Sequence, residues 1–215
     1  MHGILCDIIL EIGYDFTSLI QHCQNALVHF GLQEFKPSTI GCILSGMITT
    51  YSGLNENTSI YRGQTGVDRS ALDVAIELNY KYGGWCPRGR KAEDGIIDPI
   101  KYANLEETLS NNYPQRTEFN VRDSDGTLII ILGSNDTMGR GSKLTVHMTK
   151  KYEKPLLIIN LNQEDNGENE AKVIEWLSTN KIKILNVAGP REETTPGIYK
   201  QAEQFLRSLL QKIKS

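Results

Sequence analysis

Apolar runs and amphipathic stretches alternate along the chain from about residue 60 to its end. The runs at 127–132 and 156–161 are continuously apolar and rich in β-branched residues, as expected for strands covered on both faces. A similar run occupies 184–189. Stretches with helical periodicity separate these runs, and strands that alternate with helices predict a parallel sheet joined by crossover helices.

Four stretches have the periodicity of helices that bury one side. The clearest covers 67–79, where apolar side chains recur at intervals of three and four residues. Similar spacing predicts helices at 142–153 and 168–180, and a final helix after Pro196, a residue that suits the first helical turn. The predicted buried positions in the first, third and last of these helices are Val67, Ala71, Leu72, Ala75, Ile76, Ala171, Ile174, Leu177, Ile198, Ala202, Phe205, Leu206, Leu209 and Ile213.

The first part of the chain follows a different pattern. Residues 15–30 fit an amphipathic helix, whereas the segment 55–59 is polar for a central strand. We therefore predict an N-terminal extension over 1–58, helical or poorly ordered, and a Rossmann-like ligand-binding domain over 59–215. The predicted fold class is α/β: a Rossmann-like three-layer α/β/α domain with a mainly parallel sheet, plus an N-terminal appendage.

Charge and hydropathy narrow the choice of partners. The 215-residue chain has 23 basic and 26 acidic side chains, so its net charge of -3 offers no overall positive field to a nucleic acid. No run of about 20 apolar residues could cross a bilayer, and Asp7 and Glu11 interrupt the apolar start of the chain. We expect a cytoplasmic protein with neither a nucleic-acid nor a membrane partner. Homo-oligomers are compatible with such a sheet, but the sequence specifies no dimer face.

Cysteine spacing predicts no metal site. Cys6, Cys23, Cys42 and Cys86 lack the short paired spacings of zinc sites and redox motifs. We expect reduced, structural thiols. Several cations near Cys86 could lower its pKa, so a reactive thiol is the alternative at that position.

The loop RGQTGVDR at 62–69 is the sharpest local signal for ligand binding. Glycines permit a tight turn and a close approach, and the free N–H groups at the start of the next helix favour an anion. Asp68 would cap that helix or hold a ribose hydroxyl. An ordinary strand-to-helix turn would need the same glycines, so both interpretations stay open. The candidate ligand contacts here are Gly63, Gln64, Thr65, Gly66, Asp68 and Arg69.

The segment GGWCPRGRKAEDG at 83–95 is interpreted as a loop laid over a charged ligand. Trp85 would stack on a base, and the arginines would hold phosphate. The alternative is a solvated surface loop with Trp85 in the core. The candidate contacts are Trp85, Arg88, Arg90, Glu93 and Asp94.

Three further places extend the predicted site. Two polar residues four apart, Arg116 and Asn120, share a helical face. A second glycine loop could present N–H groups to an oxyanion through Gly139, Gly141, Ser142 and Thr145. A glycine-proline turn, Gly189, Pro190 and Arg191, leaves the end of a buried strand, where open parallel sheets bind ligands. The pattern contains no recognisable nucleophile with a partnered base, and spacing does not choose among Glu93, Asp94 and Glu192 as acids for hydrolysis.

These blocks occur in the order of a known family. GQTGVDR, GGWCPRGRKAEDG, QRTEFNVRDSD followed by TLIII, GSKLTV, and LNVAGPRE with PGIY together resemble the family called putative molybdenum carriers, also described as circularly permuted YpsA-like proteins. The resemblance runs from about Ile60 to the C-terminus. It implies the Rossmann-like fold shared with the lonely-guy phosphoribohydrolases and the DNA-processing protein DprA, a superfamily associated with nucleotides or related ligands.

Three functions are compatible with this resemblance. The first is a non-catalytic carrier or sensor that binds a small anionic ligand, the molybdenum cofactor or a nucleotide, through the glycine-rich loops. The second is a hydrolase of the nucleotide N-glycosidic bond, with Arg116 and Glu93 as candidate catalytic residues, although the Pro-Gly-Gly-x-Gly-Thr-x-x-Glu run of the lonely-guy enzymes is absent from the sequence. The third is an interaction module with a vestigial pocket, because Tyr61 and Arg62 replace the family's Ser-Gly.

Overall fold

The computed structural model describes most of the chain from Ser59 onward. The predictions for 1–58 lie outside the described residues, as do those for Gly63 and Gln64. The described residues are 59–61, 65–133, 138–161 and 167–214.

Six parallel strands form the central sheet. They are β1 (Ser59–Tyr61), β2 (Lys81–Cys86), β5 (Leu105–Glu107), β6 (Gly126–Ile131), β7 (Leu156–Asn160) and β8 (Ile184–Ala188). Their spatial order is β5-β2-β1-β8-β6-β7, and each neighbouring pair runs parallel. Two short strands, β3 (Lys91–Ala92) and β4 (Gly95–Ile96), pair separately as an antiparallel hairpin.

Helices cover both faces of this sheet. The described residues form α1 (Val67–Glu77), α2 (Tyr113–Arg122), α3 (Arg140–Lys151), α4 (Glu168–Thr179) and α5 (Ile198–Lys214). In β6, Leu128 and Ile130 pack in one cluster with side chains of α1, α4 and α5. Ile129 and Ile131 belong to a second cluster, which Val146 of α3 joins. Because successive strand residues point to opposite faces, these two clusters are the two sides of an α/β/α sandwich.

The predicted fold class is confirmed, and the strongly periodic segments have the predicted type. The exceptions lie at residues 81–107, where β2, β5 and the hairpin form and the sequence indicated a loop over 83–95. Two glycines make β2 a poor strand by composition, but the strand gains backbone partners on both sides, from β1 and β5. In α4, the buried line includes Val173 and Leu177, whereas the predicted Ala171 is exposed.

Two strand-to-helix turns touch at the middle of the sheet. Gly66 has a φ of 69°, and a Cβ there would lie 2.9 Å from the Cα of Arg191. A Cβ on Gly189 would overlap the side chain of Val67 and lie 2.5 Å from the carbonyl oxygen of Ile130. Glycine at both positions is therefore a condition for the turns after β1 and β8 to pack together.

We predict that Gly189→Ala lowers the free energy of unfolding by about 1–3 kcal/mol, because the added methyl group overpacks a closed contact. Urea denaturation of the full chain measures this. Gly141→Ala is the control, since its Cβ would meet nothing within 4 Å in α3; its stability should be unchanged or slightly higher. Equal losses in the two variants would contradict the packing account.

Candidate functional site

A cleft of about 540 Å³ opens at the carboxyl edge of the sheet. α1, α2 and α3 begin around it, and the turn after β8 closes one side. Ten of the predicted ligand contacts line this cleft: Thr65, Asp68, Arg116, Gly139, Gly141, Ser142, Thr145, Gly189, Pro190 and Arg191. Six lining residues were not predicted: Tyr113, Pro114, Thr117, Arg140, Leu144 and Thr194.

The three helices that start at the cleft have no side-chain caps among the described residues. Their N-cap residues are Gly66, Asn112 and Gly139, and none of the three makes a capping hydrogen bond through its side chain. One amide of α1 is taken, because Val67 N–H donates to the Pro190 carbonyl at 3.3 Å. Uncapped first-turn amides and the positive ends of the helix dipoles together favour a bound anion.

A buried ion pair joins two helices from opposite faces of the sheet. Arg116 of α2 donates to the carboxylate of Asp68 in α1 at 3.0 Å, and their side chains are 7% and 3% exposed. The Nε–H of Arg116 is also buried and finds no acceptor among the described residues. Asp68 thus holds in place a guanidinium that lines the cleft and retains a donor. The Asp68 carboxylate is thus the counter-ion of Arg116, and its role as a cap of α1 or as a ribose ligand stays a prediction.

The tip of the β3–β4 hairpin reaches the rim of the cleft. The Glu93 carboxylate accepts a hydrogen bond from the Thr65 hydroxyl at 2.7 Å and pairs with the guanidinium of Arg191. The neighbouring Asp94 pairs with both terminal nitrogens of Arg69, at 3.1 and 3.3 Å. Glu93 is therefore outside the lining but holds two side chains that belong to it.

Trp85 and Asn120 are predicted ligand contacts that do not reach the cleft. The Trp85 indole N–H donates to Asp123 at 2.8 Å, and its ring packs edge-on against Phe119 at 5.2 Å. The Asn120 side chain makes two hydrogen bonds, of 2.8 and 3.0 Å, to the backbone of Trp85. Both residues join α2 to β2, so the indole predicted to stack on a base packs instead within the sandwich.

The arginines of the 83–95 segment also lie away from the cleft. Arg90 donates from all three guanidinium nitrogens to the carbonyls of Ile97, Tyr102 and Leu105, at 2.8 to 3.1 Å. Its hydrogen bonds therefore stabilise the segment that connects β2 to β5. Arg88 is exposed and lines a separate groove together with Lys91.

Cys86 is completely buried, and this burial raises the pKa of its thiol despite the nearby arginines. The reactive-thiol alternative is therefore wrong, because desolvation of the thiolate outweighs the attraction of the cations. Two further features are absent from the described residues. No group of three or more His, Cys, Asp and Glu side chains comes together there, and no helix in that part of the chain is long and apolar enough to cross a membrane.

A statistical model of the Circularly permutated YpsA SLOG family matches residues 60–210. The chain belongs to this family. The match includes the whole cleft, from Thr65 to Thr194. The family resemblance stated from the sequence motifs is confirmed.

A solved structure of a relative supports the same assignment. The crystal structure of "Putative molybdenum carrier protein" from Syntrophus aciditrophicus SB has 39% sequence identity to this chain and a TM-score of 0.66. The alignment covers 74% of this chain and 95% of that one. The two proteins therefore share the fold over nearly the full length of the relative.

We predict that Cys86 in the native protein resists alkylation by iodoacetamide at pH 8, because the thiol is inaccessible and its pKa is raised. Peptide-resolved mass spectrometry measures the modified fraction, and the same protein in 6–8 M urea serves as the fully reactive reference. Rapid alkylation of the Cys86 peptide under native conditions would show that this thiol is accessible and ionised after all.

Proposed function

We propose that this member of the family binds a phosphate-bearing small molecule, the molybdenum cofactor or a nucleotide, in the cleft and carries it without chemical change. The observation that supports this most directly is the state of Arg116. Its guanidinium is buried and held by Asp68, yet its Nε–H has no acceptor among the described residues. A buried donor without a partner costs about 1–3 kcal/mol, so an oxygen acceptor that reached it would be bound favourably.

The charges around the cleft agree with an anionic ligand. Among the described residues that line it, three arginines, Arg116, Arg140 and Arg191, accompany one carboxylate, that of Asp68. The lining is therefore net positive in a chain whose overall charge is negative. Because the first turn of α3 begins at Arg140 between two glycines, its amides can be approached closely by a phosphate group.

The cleft also has the size of a small-molecule site. Its volume of about 540 Å³ lies within the range of roughly 300–1,000 Å³ that such sites occupy. A nucleotide or a phosphorylated pterin is of that size, whereas a lone phosphate ion would leave most of the cleft to water. The volume therefore supports a ligand with an organic body as well as a phosphate.

The donors of the cleft fit one end of the molybdenum cofactor. Its pterin carries a terminal phosphate, for which the α3 amides and Arg116 are suitable partners. Molybdenum is bound by the cofactor's own dithiolene sulfurs and would be cargo here. The fit thus concerns the phosphate, which a nucleotide shares, and the name of the Syntrophus relative, a molybdenum carrier, favours a ligand that contains molybdenum.

A carrier is favoured over a hydrolase because the candidate acids are already engaged. Glu93 accepts bonds from Thr65 and Arg191 outside the lining, and Asp94 pairs with Arg69. The Glu192 carboxylate accepts from backbone N–H groups at the start of α5, at 2.6 and 2.9 Å. None of these three carboxylates is placed to donate a proton to a leaving base in the cleft.

The test compares two exposed arginines that line different grooves. Arg140→Met changes the cleft, and Arg88→Met changes the separate groove. Small molecules that copurify with each protein are identified by mass spectrometry, and AMP is then titrated by calorimetry into protein stripped of ligand. We expect a phosphate-bearing molecule on the wild type and on Arg88→Met, and at least tenfold weaker AMP binding by Arg140→Met, as for the loss of one charge-assisted contact.

Arg116→Lys adds a second variant that keeps a positive charge beside Asp68 and so protects the fold. Lysine lacks the guanidinium fork, and we expect it to weaken AMP binding as well. If the wild type retains no phosphate-bearing molecule and binds neither AMP nor inorganic phosphate, the proposed function is overturned. Equal effects of Arg140→Met and Arg88→Met would place the ligand outside the cleft.

A further inference from the structure

Two polar side chains join the tip of the β3–β4 hairpin to the rim of the cleft. Glu93 contacts Thr65 and Arg191, and Asp94 contacts Arg69. These three partners belong to three different elements: the β1–α1 turn, the β8–α5 turn and α1 itself. Three independent parts of the site therefore meet at one hairpin tip.

Beyond its root, the hairpin contacts the core through Ala92, which packs against the buried cluster that includes Leu72 and Cys86, and it has few other supports among the described residues. Each of its strands pairs over only two residues, and Ile96 is 75% exposed. Its root, in contrast, is fixed: Ile97 is fully buried, its N–H donates to the Arg90 carbonyl at 2.8 Å, and the Arg90 guanidinium is bonded to three carbonyls. Release of the tip would therefore leave the sandwich and its cores unchanged.

Glu93 forms an ion pair with an arginine that an anionic ligand also needs. Arg191 lines the cleft, packs over the ring of Tyr113 at 5.2 Å and is 38% exposed, and its guanidinium is paired with the Glu93 carboxylate. The hydroxyl of Thr65, also in the lining, donates to the same carboxylate. A partly exposed ion pair of this kind contributes little net stability, so a ligand phosphate can compete with it.

We propose that Glu93 is an affinity-setting residue of the cleft and that the hairpin is a latch: an anionic ligand takes Arg191 and Thr65 from Glu93 and so releases the hairpin tip. This inference rests on the proposed function. Ligand binding in the cleft and opening of the hairpin are coupled, and such coupling is reciprocal. The contacts that hold the hairpin closed therefore weaken ligand binding by the same factor by which the ligand favours the open hairpin. Binding of a ligand in the cleft thereby changes the conformation of residues 91–96 at the protein surface.

Glu93→Gln removes the competing charge and keeps the size of the side chain. We expect it to bind AMP about three- to fivefold more tightly than the wild type, the change that corresponds to one partly exposed ion pair. Glu106→Gln is the matched control, because it makes the same charge change at an exposed position on β5 and leaves the hairpin contacts intact. Its affinity for AMP should change less than twofold.

Hydrogen exchange distinguishes a latch from a merely supporting contact. In the wild type, saturating AMP should speed amide exchange in a peptide covering residues 91–96. In Glu93→Gln, that exchange should be fast without AMP and insensitive to it. Asp94→Asn, which loosens the tip through Arg69 outside the lining, should also speed exchange in the absence of ligand.

Three results would overturn the latch. They are unchanged or weaker AMP binding by Glu93→Gln, slower hairpin exchange in the wild type when AMP binds, and the same response in Glu106→Gln as in Glu93→Gln. In each of these the wild type still binds AMP, so the proposed function stands while the latch fails. Absence of any AMP or phosphate binding by the wild type would remove the competing ligand and overturn both.

Discussion

The contact between the turns that follow β1 and β8 determines the geometry of the site. These two strands are neighbours at the middle of the sheet, and both turns pass through the same space at its carboxyl edge. Glycine at Gly66 and Gly189 lets their backbones touch, which places the start of α1 against Pro190 and Arg191. A bulkier residue at either position would move α1 and, with it, Asp68. The position of Asp68, and through it that of Arg116, therefore depends on the backbone contact between the two turns.

The topology explains why a cleft forms beside that contact. From β1 the chain crosses to β2 on one side, and from β6 it crosses to β7 on the other side, with β8 between the two starting strands. The helices that leave β1 and β6 consequently cover opposite faces, and their first turns diverge at the carboxyl edge. Parallel α/β sheets bind ligands where connections separate in this way. The Asp68–Arg116 pair joins α1 on one face to α2 on the other at this edge.

Local sequence periodicity was enough to predict most elements of the sandwich, but it could not locate side chains held by tertiary contacts. The apolar runs became β6, β7 and β8 because strands buried on both faces must be apolar throughout. Arg90 has the composition of a phosphate ligand, yet its three acceptors are backbone carbonyls up to 15 residues away, and nothing in the spacing reveals them. Trp85 and Asn120 were displaced from the predicted site for the same reason.

The residues of the cleft that sequence reasoning missed share a location at helix starts. Arg140 stands between two glycines that were predicted as ligand contacts, and Tyr113 and Pro114 follow the N-cap of α2. The proline near a helix start was a usable signal for a third uncapped terminus, and recognising it would have placed α2 at the same edge as α1 and α3.

A crystal of the full chain soaked in sodium tungstate tests the central claim most directly, because tungstate is a tetrahedral dianion like phosphate and its anomalous scattering locates it without ambiguity. We expect a peak in the cleft, within hydrogen-bond distance of the Arg116 guanidinium and the first-turn amides of α3. A peak only in the groove of Arg88 and Lys91, or no peak in the cleft, would contradict it.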